Sequence, residues 1–567
     1  MTFKQCLYLT LFIFLSIQCE TEKLPLETSE NIRLNQIGYY PSSVKEFILA
    51  DHKASTFRVM DSLGEVVFNG KLQDRGTWDT SGEQVMSGDF SGLKTPGTYI
   101  IEIDSIGASH PFSIEKGVYE EALNASIKSY YFQRASMPIE ETYGGIYKRA
   151  AGHPDSACVY HSSSRHKKGQ LSSPGGWYDA GDYGKYIVNA ALSTGQMLHL
   201  LEQYPDAVPD ASLNIPESGN GQSDLWDELL YELNWIRTMQ DRDGGVYHKL
   251  TAKNFSGFIM PENYDLERFV IGKGTAATLN YAAVMAQAGR LYTSADPVWA
   301  AEAIISAEKA WKCALRNKNV TFSNPEDVST GQYDDKVFTD DFYWAAAELY
   351  IATGAKKYLK YLESHPESYQ HQLTNSWKFF VRNNAFHSLL ENSDKLPEKT
   401  ASSIVSDHLK LADSLLVKID KNPYHVALDR YEWGSNSDVL NQAMILCVAH
   451  RLSGDEKYIA GAERINDYIF GKNATGYCFL TGFGSKRVMF PHHRPSGADG
   501  IEDPVPGFVI GGPNHNRQDQ HDVEYSSEYP AKAYMDVEPS FASNEVCINW
   551  NAPAVFVLSY LEQNRKE

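Results

Sequence analysis

Two carboxylates three positions apart, Asp179 and Asp182, stand in the run Gly175-Gly-Trp-Tyr-Asp-Ala-Gly-Asp-Tyr-Gly-Lys-Tyr186, just ahead of a helix-forming stretch. If the segment curls into a helical turn, both side chains point the same way. A pair so placed can hold one water, one member removing its proton while the other shares its second hydrogen. The competing reading makes Asp182 the cap of the helix that begins near Gly184. A third carboxylate, Glu545, lies far along the chain in Ser540-Phe-Ala-Ser-Asn-Glu-Val-Cys-Ile-Asn-Trp-Asn-Ala552, among weakly polar and apolar residues that lead into another helix. Desolvation raises the pKa of such an acid and keeps it protonated, ready to donate to a leaving oxygen. Its plainer role is to stabilise the positive end of that helix. A water-activating carboxylate and a separate protonated one are what inverting cleavage of a glycosidic bond requires.

The elements that must position these groups are mainly helices. From Lys116 onward the apolar period is helical over 119–136, 184–204, 223–240, 274–292, 297–317, 341–353, 356–363, 375–390, 403–418, 439–453, 456–470 and 551–563, with Ala- and Leu-rich faces. Between them run long stretches of Gly, Pro, Asn and aromatic residues, notably 136–183, 242–272 and 472–550. Connections of that length in a compact domain carry function. An even number of helices with such loops at one end fits an α/α toroid, although periodicity alone leaves a solenoid or an irregular bundle open. Ahead of the helices, residues 31–116 alternate short β-rich runs with turn clusters such as Asp61-Ser-Leu-Gly and Lys94-Thr-Pro-Gly, the spacing of a small immunoglobulin-like β-sandwich.

Composition narrows the partners. The 52 Lys+Arg against 72 Asp+Glu leave a net charge of −20 with no basic run, which excludes nucleic acid and acidic membrane surfaces as partners. The 34 Tyr and 10 Trp supply flat faces suited to sugar rings as well as to cores. Residues 1–19 read as an export signal, with Lys4 ahead of a short apolar run, and Cys19 followed by acidic residues resembles a bacterial lipoprotein cleavage site. The expectation is therefore an exported protein, lipid-anchored at Cys19 or otherwise periplasmic or secreted, with residues 20–30 as a tether. The five later cysteines, Cys158, Cys313, Cys447, Cys478 and Cys547, are scattered without a C-x-x-C pair and signal neither a zinc clip nor a disulfide framework.

A series of segments in order resembles the motifs of glycoside hydrolase family nine: the Asp179–Tyr186 run, Ile215-Pro-Glu-Ser-Gly-Asn-Gly, Asp243-Gly-Gly-Val-Tyr-His-Lys, Trp433-Gly-Ser-Asn-Ser, Thr481-Gly-Phe-Gly-Ser-Lys, Pro491-His-His-Arg-Pro and Asn544-Glu-Val-Cys-Ile-Asn-Trp. The resemblance spans about 120–563 and implies an (α/α)6 barrel over 117–567, preceded by an immunoglobulin-like module. It implies an endo-acting β-1,4-glucanase of inverting mechanism, with Glu545 as acid, Asp182 as base and Asp179 as its partner on the water. His492 and Asp536 join them as further catalytic positions, and Arg494, His248, Trp433 and Trp550 as substrate contacts. Asp536 can alternatively serve to hold Arg494 or His492 in place. Asp340-Asp341 resembles a structural calcium position, and hard carboxylate oxygens suit that ion; an acidic pair at a helix start can equally complement the helix dipole. No cofactor is required for the chemistry. Arg134-Ala-Ser stands where some members have Arg-Cys-Gly, so their zinc site is not expected. The expected partner is a β-glucan, and the expected state a monomer. Exo-acting glucosidase or glucosaminidase action, and xyloglucan or mixed-linkage glucan as substrate, remain alternatives within the family; outside it the rival is a non-catalytic surface glycan-binding lipoprotein.

Overall fold

The structure, a computed structural model, describes residues 27–164, 169–366 and 381–565. The expected export signal with its Cys19, and residues 20–26 of the tether, lie outside the described residues, as does the start of the helix expected over 375–390. No helix among the described residues is long and apolar enough to cross a membrane.

The N-terminal strands form one ladder in the order Ile32–Arg33, Glu46–Ala50, Glu83–Asp89, Val66–Trp78, Thr56–Asp61, Gly97–Ile103, Phe112–Ile114, Gly38–Tyr39. The 13-residue strand Val66–Trp78 serves both layers of the sandwich. Its first part pairs with Thr56–Asp61 and its second with Glu83–Asp89, and the register shifts between Asp74 and Gly76. Between the layers lie Tyr39, Phe47, Phe57, Phe90 and Phe112, with Phe47 and Phe57 edge to face at 4.8 Å. The second half of the long strand and its partner Glu83–Asp89 carry no strong apolar alternation, because much of the long strand faces solvent. They are additions to the strands legible in sequence.

The helical part is a double ring. Six helices are buried nearly all round: Ile187–Gln203, Thr275–Leu291, Thr339–Thr353, Arg382–Glu391, Ser435–Ser453 and Ile548–Asn564. Six others bury one stripe: Glu120–Phe132, Asp224–Thr238, Pro297–Arg316, Lys356–Ser364, Glu398–Lys421 and Glu456–Ile469. Glu398–Lys421 illustrates the outer kind, burying Ile404, His408, Leu411, Ala412, Leu415 and Ile419 at helical spacing. Inner and outer helices alternate along the chain, which is the (α/α)6 arrangement. Glu120–Phe132 packs on Ile548–Asn564 and closes the ring, with Tyr130 Oη donating to the Ile548 carbonyl at 2.7 Å and Asn551 Nδ2 to the Ser126 carbonyl at 2.8 Å.

Part of the material between helices is ordered as a five-stranded sheet: Gln170–Leu171, Cys158–Tyr160, Phe269–Lys273, Tyr247–Thr251, Lys185–Tyr186. Sequence reading treated 136–183 and 242–272 as loops; short strands of polar and aromatic residues give too little period to detect. The sandwich is joined to the barrel by buried polar contacts. Asn35 Nδ2 donates to Asp467 Oδ1 at 2.9 Å and Tyr40 Oη to Glu562 Oε1 at 2.6 Å, while Glu46 receives Arg464 at 3.1 Å and His425 at 2.8 Å. On another side, the backbone of Ala531 donates to the Thr80 carbonyl at 3.1 Å and Lys532 pairs with Glu83 at 2.7 Å.

Candidate active site

Several inner helices begin just after a segment that contributes to the cavity: 179–186 precede Ile187, 329–338 precede Thr339, 425–434 precede Ser435 and 541–547 precede Ile548. The N-terminal, electropositive ends of these helices therefore gather at one mouth of the ring, a favourable place for carboxylates. There Asp179, Asp182, Glu545, Tyr186, Phe255, Tyr333, Trp433 and Trp550 line a cavity of about 260 Å³.

The backbone fixes the Glu545 segment against the Asp179–Asp182 segment. Ala180 pairs with Cys547 and His492 with Glu545 as β-bridges, and the Ile548 amide donates to the Asp179 carbonyl at 2.9 Å. Asp182 Oδ2 accepts the Gly184 amide at 2.8 Å and the Tyr186 hydroxyl at 3.2 Å. Asp182 thus lies in the turn entering the helix, yet the bonds it accepts come from residues ahead of Ile187, so it does not cap that helix. Asp179 is held at both oxygens: Asn189 Nδ2 donates to Oδ1 at 2.7 Å, and the Tyr333 hydroxyl donates to Oδ2. Burial, and then the charge of Asp182, push the Asp179 carboxyl up to about 8 against the pull of Tyr333 and Asn189. Glu545 is pushed well above the ordinary carboxylate range, first by desolvation and then by Asp182, with Arg494 working the other way. Asp179 and Glu545 are thus two carboxyls that favour the protonated form.

Tyr333 was not legible in sequence. It lies in Gly331-Gln-Tyr-Asp-Asp, a segment without period or motif, and only the fold brings it to Asp179.

The other expected positions separate into those that face the cavity and those that support it. Trp433, 37% exposed, and Trp550, 9% exposed, both line it, Trp433 resting on Phe541 at 5.4 Å. His492 is half-buried, and its Nδ1–H donates to the Glu538 carbonyl at 2.7 Å. Desolvation takes its imidazole down to about 4, so around neutral pH the ring is uncharged and offers Nε2 as an acceptor.

Three expected positions lie behind the cavity lining. Arg494, expected to bind substrate, is buried, its Nη1 donating to the Gly181 carbonyl at 2.7 Å and its Nε to the Ser256 carbonyl at 3.1 Å. One arm of its fork holds the turn between Asp179 and Asp182, and the residue is not among those lining the cavity. Asp536, expected among the catalytic residues, accepts the Met489 and Phe490 amides at 2.9 Å each and Asn544 Nδ2 at 3.1 Å. It pins the segments that carry His492 and Glu545 to one another. His248, also expected at the sugar, is 1% exposed, stacked on Phe322 at 3.7 Å and bonded through Nε2 to the Gln332 carbonyl at 2.9 Å. It supports the Tyr333 segment from behind.

Asp340 and Asp341 are both fully buried at the start of Thr339–Thr353, and the fold adds Asp335, which the sequence reading missed. One carboxylate oxygen from each lies within 4.8 Å of the others. Burial, then Asp340 and Asp335, push the Asp341 carboxyl well up. Asn280 Nδ2 bonds its Oδ1, while its buried Oδ2 accepts no hydrogen bond among the described residues. Three carboxylates converging away from water fit a hard cation.

Comparison with known proteins agrees with this geometry. The model described as glycosyl hydrolase family 9 matches residues 119–558, and the one described as the cellulase N-terminal Ig-like domain matches 27–108. The xyloglucan-specific endo-β-1,4-glucanase BoGH9A of Bacteroides ovatus is 38% identical over 584 residues, covering 98% of this chain and 98% of that one. Endoglucanase D of Acetivibrio thermocellus is 34% identical over 560 residues, 96% of this chain and 87% of that protein. The solved structure titled Bacteroides ovatus GH9 superposes with a TM-score of 0.88 at 37% identity, over 94% of this chain and 99% of the other. Helical double ring, leading β-sandwich, clustered carboxyls and both matches coincide: the chain belongs to glycosyl hydrolase family 9.

Proposed function

We propose that this protein is an endo-acting β-1,4-glucanase that hydrolyses its glucan with inversion, with Asp182 as base and Glu545 as acid. The observation that carries the assignment of roles is the asymmetry of the two aspartates. Both oxygens of Asp179 hold donors, whereas Asp182 accepts only at Oδ2 among the described residues, leaving Oδ1 for a water. In the proposed reaction Asp182 takes a proton from that water as its oxygen attacks the anomeric carbon. Glu545 gives its proton to the glycosidic oxygen, the C–O bond breaks with its electrons on the leaving sugar, and solvent returns both carboxyls to their starting states. Asp179 orients the water, and Trp433 and Trp550 offer ring faces to the sugars. These steps balance without a cofactor.

Residues 31–116 form the sandwich unit in this reading and 117–567 the catalytic unit. Export on residues 1–19, with Cys19 as the lipid-bearing residue, rests on the leader sequence alone.

The test is the anomer of the first product. A soluble β-1,4-glucan followed by NMR gives the α-anomer at the new reducing end before mutarotation, with mid-chain cuts that drop viscosity early. A β-anomer first product would remove the mechanism, and release of only mono- or disaccharide from chain ends would remove endo action. Xyloglucan is the second reading, favoured by the 38% identity to the Bacteroides ovatus enzyme across both chains; faster cleavage of xyloglucan than of unbranched glucan establishes it.

Asp335, Asp340 and Asp341 hold Ca²⁺ in this reading, tying the segment that carries Tyr333 to the helix Thr339–Thr353. Exhaustive chelation is expected to lower Tm by several degrees, with recovery on adding Ca²⁺, because an ion that binds only the folded chain stabilises it by mass action. An unchanged Tm, with no Ca²⁺ uptake by calorimetry, counts against the site.

A further inference from the structure

Lys249 is a buried cation with no evident structural anion. It lies on the strand Tyr247–Thr251, opposite Tyr186 in the antiparallel pairing with Lys185–Tyr186. The residue is 0% exposed. Its Nζ faces four acceptors from one stretch of chain: Asn324 Oδ1 at 2.7 Å, Thr330 O at 3.1 Å, Thr330 Oγ1 at 3.0 Å and Gly331 O at 2.8 Å. Among the described residues no carboxylate comes within ion-pair distance, and the acid whose charge reaches it is Asp182. Desolvation draws the ammonium down to about 7, and Asp182 opposes that fall.

The path between the two charges is short and made of named bonds. Nζ lies 5.6 Å from the centre of the Tyr186 ring. The Tyr186 hydroxyl donates to Asp182 Oδ2 at 3.2 Å and accepts the Gly331 amide at 3.1 Å. The Gly331 carbonyl is itself bonded to Lys249, and two residues on, Tyr333 reaches Asp179. One ammonium thus grips the segment that bonds Asp179 directly through Tyr333 and reaches Asp182 through the Tyr186 hydroxyl.

We propose that Lys249 is a positioning residue that supplies the counter-charge of the Asp179–Asp182–Glu545 cluster, fixing the 330–333 segment and favouring negative charge on Asp182. The inference rests on Asp182 being the base. The other titratable groups that face Asp182 are Asp179, Glu545, Tyr186 and Tyr264, with Arg494 acting on Glu545. Arg494 is engaged with the Gly181 and Ser256 carbonyls and acts on Glu545, whereas the charge that Lys249 meets is that of Asp182.

The experiment is the pH dependence of kcat/KM on a soluble β-glucan for wild type, Lys249→Met and Lys249→Arg. Loss of the cation moves the acidic limb of the Lys249→Met profile to higher pH by about 1 unit, the scale on which a nearby opposite charge acts, and Lys249→Arg keeps the limb close to wild type. A Lys249→Met limb that coincides with wild type overturns the proposal, even if kcat falls, since a purely structural lysine would lower activity without moving the limb. If Lys249→Met does not fold, thermal stabilities of Lys249→Gln, Asp182→Asn and the double variant decide. Non-additive Tm changes are expected, and additive ones overturn the coupling. Substantial turnover in Asp182→Asn itself would instead sink the assignment of the base, a result distinct from either outcome at Lys249.

Discussion

Glu545→Gln is expected to lower kcat on β-glucan by about 10²–10⁴-fold, the span that a positioned proton donor contributes, while the variant still binds the polysaccharide. The substitution keeps the shape of the side chain and leaves the backbone where it is, because residue 545 is held through main-chain atoms, paired with His492 and accepting the Gly511 amide at 2.9 Å. Only the transferable proton is lost. The deficit should shrink on aryl glycosides whose leaving group is already acidic, since these need little protonation. The same variant has a stability signature. Desolvation and Asp182 raise the Glu545 carboxyl in the folded state, so folding holds a proton there that the unfolded chain releases above its ordinary carboxylate pKa. Stability is therefore lost as pH rises through that range. Glutamine has no such proton to hold, and Glu545→Gln should melt higher than wild type at neutral pH. Near-wild-type turnover on polysaccharide would remove Glu545 from the mechanism; a Tm below wild type would remove the electrostatic argument.

Asp182→Asn carries the second large loss, of similar size, and on all substrates alike, because activated leaving groups do nothing for a water that lacks a base. The amide keeps the acceptor for Gly184 and Tyr186 but cannot receive the water's proton. A small anionic nucleophile such as azide, which needs no deprotonation, should restore turnover and give a glycosyl azide of inverted configuration. Asp179→Asn, by contrast, still offers an oxygen to one of the donors Tyr333 and Asn189 and should lose less. Failure of azide to rescue Asp182→Asn, combined with rescue of Asp179→Asn, would exchange the roles of the two aspartates.

How much of this was legible in the sequence depended on period and on distance along the chain. The helices of the ring were readable because apolar stripes and Ala-rich runs repeat at 3.6 residues, and their ends were off by a turn where caps are weak, as at Ile548, which starts before the 551 expected. Asp179, Asp182 and Glu545 stood out as acids in low-polarity, Gly- or aromatic-rich surroundings. Supporting residues were less readable. Tyr333 and Asp335 have ordinary local surroundings, Lys249 is merely the last residue of a marked segment, and their meaning lies in partners 154 residues away for Tyr333 and 81–82 residues away for three of the Lys249 bonds. For His248 and Arg494 the sequence leaves two places open for a related reason: a polar side chain in a marked segment can face the cavity or hold up its wall, and burial puts both behind the lining. The Val66–Trp78 strand was only half visible because its second part has an open face.

The closure of the ring by its first and last helices gives the protein a temporal order. Asp179 and Asp182 leave the ribosome long before Glu545, and Glu545 comes just ahead of the helix Ile548–Asn564 that must pack on Glu120–Phe132. Contacts so far apart in sequence form late. A growing chain therefore holds the proposed base without the proposed acid, and on that assignment hydrolytic competence arrives at the end of synthesis and folding. For a protein read as exported, this would keep any chain that ends before Glu545 inert.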